Sequence, residues 1–199
     1  MKFVLLAEGQ TEKEAVGTFL KRWLDAQLQP NQVGIETVDL GGSGHFAKEF
    51  AKQARVYLSP TRGVTTIGVI GLLDLYGCPP NARDAARLES QVNNDRFRMS
   101  YAVHESEAWL LSEPEILPRA VRDALPKRKV SKPEAVNTTK PPSKLLDELF
   151  IHHLNRRYKK AIDGKKLFAK LNPDVARNRC PKLRELLDVM LGMAKGAGL

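Results

Sequence analysis

Four acidic side chains stand at or shortly after the ends of apolar runs, and their positions indicate a shared site. They are Glu8, Asp74, Glu105 and Glu107. Carboxylates brought together repel one another, and their pKa values rise unless a cation lies among them. Oxygen ligands of this type suit Mg²⁺ or Mn²⁺, and one or two such ions can orient water against a phosphodiester and neutralise the developing charge.

Each of these acids also has a structural alternative. Asp74 precedes a turn rich in Gly and Pro, where it could serve only to bond its own backbone. Glu105 or Glu107 could simply start the helix that contains Trp109. Because Glu105 and Glu107 are two positions apart, they cannot share a helical face, and we expect only one of them to bind a metal.

Glu12 is a further candidate, for proton transfer beside Glu8. It falls in the first turn of a predicted helix, where an acid stabilises the helix dipole by about 0.3–1 kcal/mol even if it does no chemistry. Thr11 and Glu14 form a capping box at the same helix start, so Glu14 is left out of the site. His104 is either a structural residue, a ligand or a general base.

The elements that must position these acids alternate between strand and helix along the chain. The apolar or alternating runs that predict strands are Lys2–Ala7, Val33–Leu40, Val64–Leu73 and Arg98–Val103. Helical spacing of apolar residues lies between them, which predicts an α/β fold with a mostly parallel sheet of about four strands and helices on both faces. In such a sheet ligands bind beyond the carboxyl ends of the strands, where all the candidate acids fall.

The loop Gly41–Gly44 precedes a predicted helix, and its backbone N–H groups could bind a phosphate. It lacks the lysine of a P-loop and the full GxGxxG pattern. We therefore interpret it as a flexible turn, and we predict no cofactor-binding loop.

From Glu107 onward the pattern is helical only. Residues Pro126–Pro142 are rich in Lys, Pro, Ser and Thr and predict a loop or linker. The later predictions are helices over Ser143–Leu154, Tyr158–Leu171 and Pro181–Met193 and a frayed tail over Gly192–Leu199. The sequence thus predicts an α/β domain over residues 1–115 and a basic helical region over residues 116–199, packed on it.

Charge is distributed unevenly along the chain. Residues 1–118 contain 12 Lys and Arg against 15 Asp and Glu, a net charge of −3, whereas residues 119–199 contain 20 against 8, a net charge of +12. This asymmetry favours a polyanionic partner for the C-terminal part, of which nucleic acid is the commonest. The alternative is a basic helical surface that has no partner.

Composition also bears on location. No apolar run of about 18 residues is present that could cross a bilayer, and Met1–Ala7 is too short for a signal peptide. Cys78 and Cys180 are far apart in the sequence, so we expect reduced thiols. A cytoplasmic protein without membrane contact fits best.

The acids occur in an order that resembles the TOPRIM fold: Glu-Gly-x-x-Glu after a first strand, Asp after a third and an acid after a fourth. That fold is shared by type IA and type II topoisomerases, primases and the overcoming-lysogenization-defect nucleases. More closely, "AEGQTEKE", "LLDLYG", "HESEAWLL" and "YKKAIDGKKLFAKLNPDVARNRCPKLRELL" resemble an uncharacterised bacterial family, domain of unknown function 4276. The resemblance covers nearly the whole chain, and the family is often described beside ATPases in restriction or phage-defence loci.

The resemblance implies roles for individual residues. Glu8 would act in acid–base chemistry or metal binding, Asp74 would bind metal, and Glu12 matches a second acid of the nuclease branch. The second position of the Asp-x-Asp motif is Tyr76 here, so either Glu105 or Glu107 completes the site or the activity is weak or absent. The basic helical region is implied by the family, and its lysines would hold phosphates without reading sequence.

These observations together predict a Mg²⁺- or Mn²⁺-dependent nuclease of DNA or RNA in a restriction or phage-defence system, with nucleic acid and an ATPase as partners. The expected catalytic residues are Glu8, Glu12 and Asp74. The expected metal ligands are Glu8, Asp74, Glu105 and Glu107, and the expected nucleic-acid-binding residues are Lys159, Lys160, Lys165 and Lys166. The alternative is a non-catalytic TOPRIM-like subunit that binds nucleic acid or an ATPase, and a nucleotide-binding regulator using Gly41–Gly44 is a third hypothesis.

Overall fold

The computed structural model of the 199-residue chain describes residues 1–9, 15–59, 65–76, 84–135 and 140–199. Glu12 and the capping box of Thr11 and Glu14 lie outside these residues and stay predictions. The same holds for Cys78.

In the described part of the chain, parallel strands form a four-stranded sheet in the order β2-β1-β3-β4. The strands are β1 (Lys2–Ala7), β2 (Gly34–Asp39), β3 (Thr66–Asp74) and β4 (Phe97–Ala102). The predicted α/β fold class is confirmed. Helices cover both faces of β1 and β3, which explains why their sequences are continuous apolar runs rather than alternating ones.

Within the described ranges, three helices connect the strands and divide between the two faces. They are α1 (Gly17–Gln27), α2 (Ser43–Leu58) and α3 (Ala85–Val92). Alternate side chains of β1 show the division, since Phe3 and Leu5 pack with α1 whereas Val4 and Leu6 pack with α2 and α3. The chain therefore leaves β1 toward one face and β3 toward the other, which opens a crevice between the ends of these adjacent strands.

The C-terminal half adds helices to the α1 face. They are α4 (Glu107–Leu110), α5 (Arg119–Ala124), α6 (Lys127–Ser131), α7 (Pro142–Leu154), α8 (Lys165–Lys170), α9 (Pro173–Arg179) and α10 (Pro181–Gly196), and Lys160–Gly164 forms a π-helical turn before α8. Their buried side chains share one apolar cluster with β1 and α1. Phe168 of α8 shows the sharing, because its ring lies 5.7 Å from the ring of Phe19 in α1 and 6.3 Å from that of Trp109 in α4.

Several details differ from the sequence-based expectation. The helix predicted over Tyr158–Leu171 is a π-helical turn over Lys160–Gly164 followed by α8 over Lys165–Lys170. The predicted linker Pro126–Pro142 contains helix α6. Helix α9 was not anticipated, although Asn172 caps it and Pro173 begins it, as is typical of a helix start. The prediction of a frayed tail from Gly192 is wrong, because helix α10 extends to Gly196. Met193, in this last part of the helix, packs against Gly68 of β3, where an added Cβ atom would clash with the methionine side chain.

The described residues also bear on membrane crossing and on the state of the thiols. Among the helices that the structure describes, none has both the length and the apolar character needed to cross a bilayer. Cys180 is a buried free thiol, and burial raises its pKa.

The shared apolar cluster predicts the effect of truncating Phe168. We expect Phe168→Ala to lower the free energy of unfolding by about 3–5 kcal/mol, because it removes a fully buried ring from between α1, α4 and α8. Ile162→Ala is the matched control, since Ile162 is 51% exposed, and its cost should stay within about 0.5 kcal/mol. Urea unfolding followed by circular dichroism measures both, and equal costs would contradict the shared core.

Candidate functional site

The four acids that follow strands lie together beyond the carboxyl ends of β1, β3 and β4. All are nine-tenths buried or more: Glu8, Asp74 and Glu105 are each 6% exposed, and Glu107 is 0% exposed. The strands that precede them are neighbours in the sheet, with Ala7 beside Leu72 and Asp74 beside Ala102. The sheet order thus brings to one edge residues that are almost 100 positions apart in sequence.

Glu8 spans the crevice between β1 and β3. Its Oε2 accepts a hydrogen bond from the backbone N–H of Asp74 at 3.2 Å, and its Oε1 accepts one from the hydroxyl of Tyr76 at 3.1 Å. The backbone oxygen of Glu8 accepts from Gly42 N at 2.7 Å. Gly42 has φ +94°, a conformation that side-chain-bearing residues rarely adopt, so this glycine lets the loop before α2 close onto Glu8.

Tyr76 and His104 shape the turns after β3 and β4. Both have left-handed backbone conformations, with φ +46° and +66°, and Tyr76 N donates to His104 O at 2.9 Å. Such conformations cost energy and persist where the surroundings fix them. The two turns are therefore joined, and Tyr76 is 52% exposed with its hydroxyl on Glu8. The sequence marked Tyr76 only as a missing carboxylate, although its position already placed it at this edge.

Lys160 places an ammonium group between two of the acids. Its Nζ lies 3.2 Å from Glu105 Oε1 and 3.2 Å from Glu107 Oε2. Partial burial lowers the pKa of Lys160, but the charges of Glu107, Glu105 and Asp74 raise it more, so its pKa lies above the ordinary value of 10.5. The protein itself thus supplies a cation to this cluster. The sequence grouped Lys160 with the phosphate-binding lysines and did not show this contact.

The segment that carries Lys160 is held by a second ion pair. The guanidinium of Arg156 donates to both carboxylate oxygens of Asp163, at 2.8 and 2.9 Å, and lies 4.8 Å from the centre of the Phe150 ring. Lys159 N also donates to Asp163, at 2.8 Å. Burial raises the pKa of Asp163, but these donors lower it more, so its pKa lies below the ordinary value. These bonds fix the turn from which Lys160 reaches the acids.

Ser143 holds Glu105 from the first turn of α7. Its backbone N–H donates to Glu105 Oε2 and its hydroxyl to Oε1, both at 2.9 Å. Burial raises the pKa of Glu105, but Ser143 and Lys160 lower it more, so its pKa lies below the ordinary value of 4.5. The sequence did not identify Ser143, although the preceding prolines indicate a helix start, and helix N-termini favour anions.

Glu105 and Glu107 reach one ammonium group despite their spacing. Helix α4 begins at Glu107, so Glu105 precedes the helix and helical geometry does not separate the two side chains. The expectation that only one of them binds a metal stays a prediction. Both, however, contact the same cation of the protein.

Metal binding by this edge depends on which oxygens are close together. Over the described ranges, no group of three or more His, Cys, Asp and Glu side chains is placed to hold a metal ion. The Glu8 carboxylate accepts from the backbone N–H of Asp74, however, so both side chains start from the same crevice, and Mg²⁺ usually binds through one or two carboxylates together with waters and substrate phosphates. The donor chemistry of Glu8 and Asp74 therefore fits such an ion.

The remaining predicted lysines are exposed beside this edge. Lys159, Lys165 and Lys166 flank the turn that carries Lys160. The same segment therefore presents positive charge to solvent and inserts one lysine among the acids.

Comparisons with known proteins give a family and a structural likeness. The sequence model of the family described as "Domain of unknown function (DUF4276)" matches residues 7–191. The C-terminal region of the Xanthomonas campestris pv. campestris OLD protein is 18% identical, with 94% of this chain and 97% of that chain covered and a TM-score of 0.43. That of the Burkholderia pseudomallei OLD protein is 17% identical, with 93% and 98% covered and a TM-score of 0.48. No curated protein matches the sequence.

The bonds to Glu105 predict a pH-dependent cost for Ser143→Ala. At about pH 7 the variant should lose about 1–3 kcal/mol of unfolding free energy, as is usual for a hydrogen bond to a charged group. Because the pKa of Glu105 is depressed in the folded state, its stabilisation is present above pH 4.5 and is lost as the pH falls through its folded pKa. The difference between wild type and variant should therefore shrink below pH 4.5.

Ser90→Ala is the control for this measurement. It removes a hydroxyl that donates to the backbone oxygen of Arg87, an uncharged acceptor. Its cost should not vary over the acid range, and chemical unfolding at several pH values measures both variants. A constant cost for Ser143→Ala as well would show that the Glu105 contact is wrong.

Proposed function

This chain belongs to the family described as Domain of unknown function (DUF4276), and from the geometry of its site we propose that it is a metal-dependent nuclease. Such an enzyme cleaves phosphodiesters of DNA or RNA. The observation that carries the proposal is that two buried acids, Glu8 and Asp74, meet in the crevice between β1 and β3, where the Glu8 carboxylate accepts from the backbone N–H of Asp74. This is where parallel α/β sheets bind ligands. The TOPRIM-like order of the acids in the sequence gives further support.

Glu8 and Asp74 would hold a Mg²⁺ or Mn²⁺ ion. Such an ion, when bound, supplies a Lewis acid that polarises a phosphoryl oxygen and activates water. Glu8 is also the best candidate to accept a proton from the attacking water, because Asp74 N and the Tyr76 hydroxyl fix its carboxylate in place. Glu12, outside the described residues, is the second candidate for this role.

Positive groups beside the acids would hold the polyanion. Lys159, Lys165 and Lys166 are exposed on the segment that carries Lys160, whose own ammonium is paired with Glu105 and Glu107. Lysines at such positions bind phosphates as point charges and carry no base information. We therefore propose binding that is not sequence-specific. A partner ATPase, a cytoplasmic location and a role in restriction or phage defence are proposed from the family resemblance and the composition.

Nuclease activity can be tested directly with Mn²⁺. We expect purified protein to cleave at least one of plasmid, single-stranded DNA and RNA. Glu8→Gln and Asp74→Asn should each lower the rate by about 100-fold or more, because they remove groups that hold the ion or move the proton. Glu115→Gln, an exposed acid outside the site, should leave the rate unchanged.

The same experiment distinguishes the nuclease from the alternative, a non-catalytic subunit that binds nucleic acid or an ATPase. If none of the substrates is cut, or if Glu8→Gln is as active as wild type, the catalytic proposal is wrong. Nucleic-acid binding without cleavage and without a Mn²⁺-induced shift in melting temperature would instead support the non-catalytic subunit. A Mn²⁺ shift that is lost in Asp74→Asn supports the enzyme.

The exposed lysines predict a change in the salt dependence of nucleic-acid binding. Replacing Lys159, Lys165 and Lys166 by Gln should weaken binding and make the slope of log K against log salt shallower by about 2–3, since each phosphate contact contributes about 0.7–0.9. Fluorescence anisotropy over a series of salt concentrations measures the slope.

A charge-matched control is available on other parts of the surface. Replacement of three exposed lysines in α2 and α10 by Gln removes the same net charge; these are Lys48, Lys52 and Lys195. An equal change in slope for both triple variants would show that net charge, and not the segment beside the acids, governs binding.

A further inference from the structure

Lys160 is a protein cation in a position where carboxylate oxygens converge. The side chain of Glu105 is 8% exposed and that of Glu107 is 0% exposed. A carboxylate oxygen of each lies 3.2 Å from Lys160 Nζ. Lys160 comes from a segment far along the chain, and the Arg156–Asp163 pair fixes that segment. The Lys160 side chain is 43% exposed, but its ammonium meets two buried carboxylates, and the segment that carries it is held in place by an ion pair of its own.

An ammonium group and a divalent ion compete for such a position. Mg²⁺ needs carboxylate oxygens at about 2.0–2.1 Å, whereas the Lys160 nitrogen stands between the same oxygens at 3.2 Å. Glu105 also accepts two hydrogen bonds from Ser143, which orient both of its oxygens. While the Lys160 ammonium is in this position, a divalent ion cannot occupy the same place between Glu105 and Glu107.

We propose that Lys160 is a built-in cation that takes the place of a divalent ion between Glu105 and Glu107, and so restricts divalent ions at this edge to Glu8 and Asp74. Lys160 is thereby a positioning residue that sets the number of metal ions. The inference rests on the proposed function for the ion at Glu8 and Asp74. The exclusion of an ion from Glu105 and Glu107 stands on the Lys160 contacts alone.

The experiment counts Mn²⁺ ions bound to the intact chain by electron paramagnetic resonance of free Mn²⁺, without reading activity. Lys160→Met, which keeps the length of the side chain and removes the charge, should bind one more Mn²⁺ per chain than wild type. Lys160→Arg keeps a cation and should show no gain, and Lys170→Met, an exposed lysine in α8, should match wild type. The gain should disappear in the double variant Lys160→Met with Glu107→Gln.

Two results would overturn the proposal: an equal Mn²⁺ count in wild type and Lys160→Met, or a gain that survives Glu107→Gln. Failure of the proposed function looks different. If wild type does not cleave nucleic acid and binds no Mn²⁺ through Asp74, while Lys160→Met still gains an ion that depends on Glu107, the nuclease proposal fails and the role of Lys160 stands.

Stability provides a second readout if Lys160→Met folds poorly. Removing the ammonium leaves the two buried carboxylates of Glu105 and Glu107 without this counter-charge, so the melting temperature of the variant should fall. Mn²⁺ should then raise the melting temperature of Lys160→Met more than that of wild type, and restore its folded circular dichroism spectrum if it was lost. A loss of stability that Mn²⁺ does not reverse would count against the proposal.

Discussion

The contact of Lys160 with Glu105 and Glu107 is the interaction on which the organisation of this protein depends. Buried carboxylates are costly unless a partner stabilises their charge. Here the sheet places the acids at its edge, and the helices that follow in sequence supply the partners: Ser143 from α7 for Glu105, and Lys160 for both acids. The C-terminal half therefore completes an edge that the α/β half begins.

The apolar core and a set of backbone contacts keep this arrangement in register. Trp109, Phe19 and Phe168 join α4, α1 and α8 in one aromatic cluster. At the end of α8, Arg22 of α1 donates to the backbone oxygens of Phe168, Ala169 and Leu171 at 3.0, 2.8 and 2.6 Å. Helix α8 directly follows the turn that carries Lys160, so these contacts limit how far the lysine can move from the acids.

Sequence patterns were enough to predict the sheet and the acids at its edge, because apolar runs and their ends are local features. Glu8 and Asp74 each terminate such a run, and parallel topology then determines that they meet. Lys160 was different. It lies in a run of several lysines with similar neighbours, and only the tertiary fold decides which of them turns inward. Ser143 and the hydroxyl of Tyr76 were missed for the same reason, since their partners are 38 and 68 positions away.

The division of one charged cluster between two distant stretches of chain has an evolutionary consequence. Glu105 and Glu107 are encoded more than 50 positions before Lys160, yet the fully buried Glu107 needs this distant ammonium as its counter-charge. A relative that lost the lysine would keep two buried acids facing one another, and one that lost Glu107 would leave the ammonium with one close carboxylate fewer. These positions should therefore change together among members of the family, as a linked set rather than as independent sites.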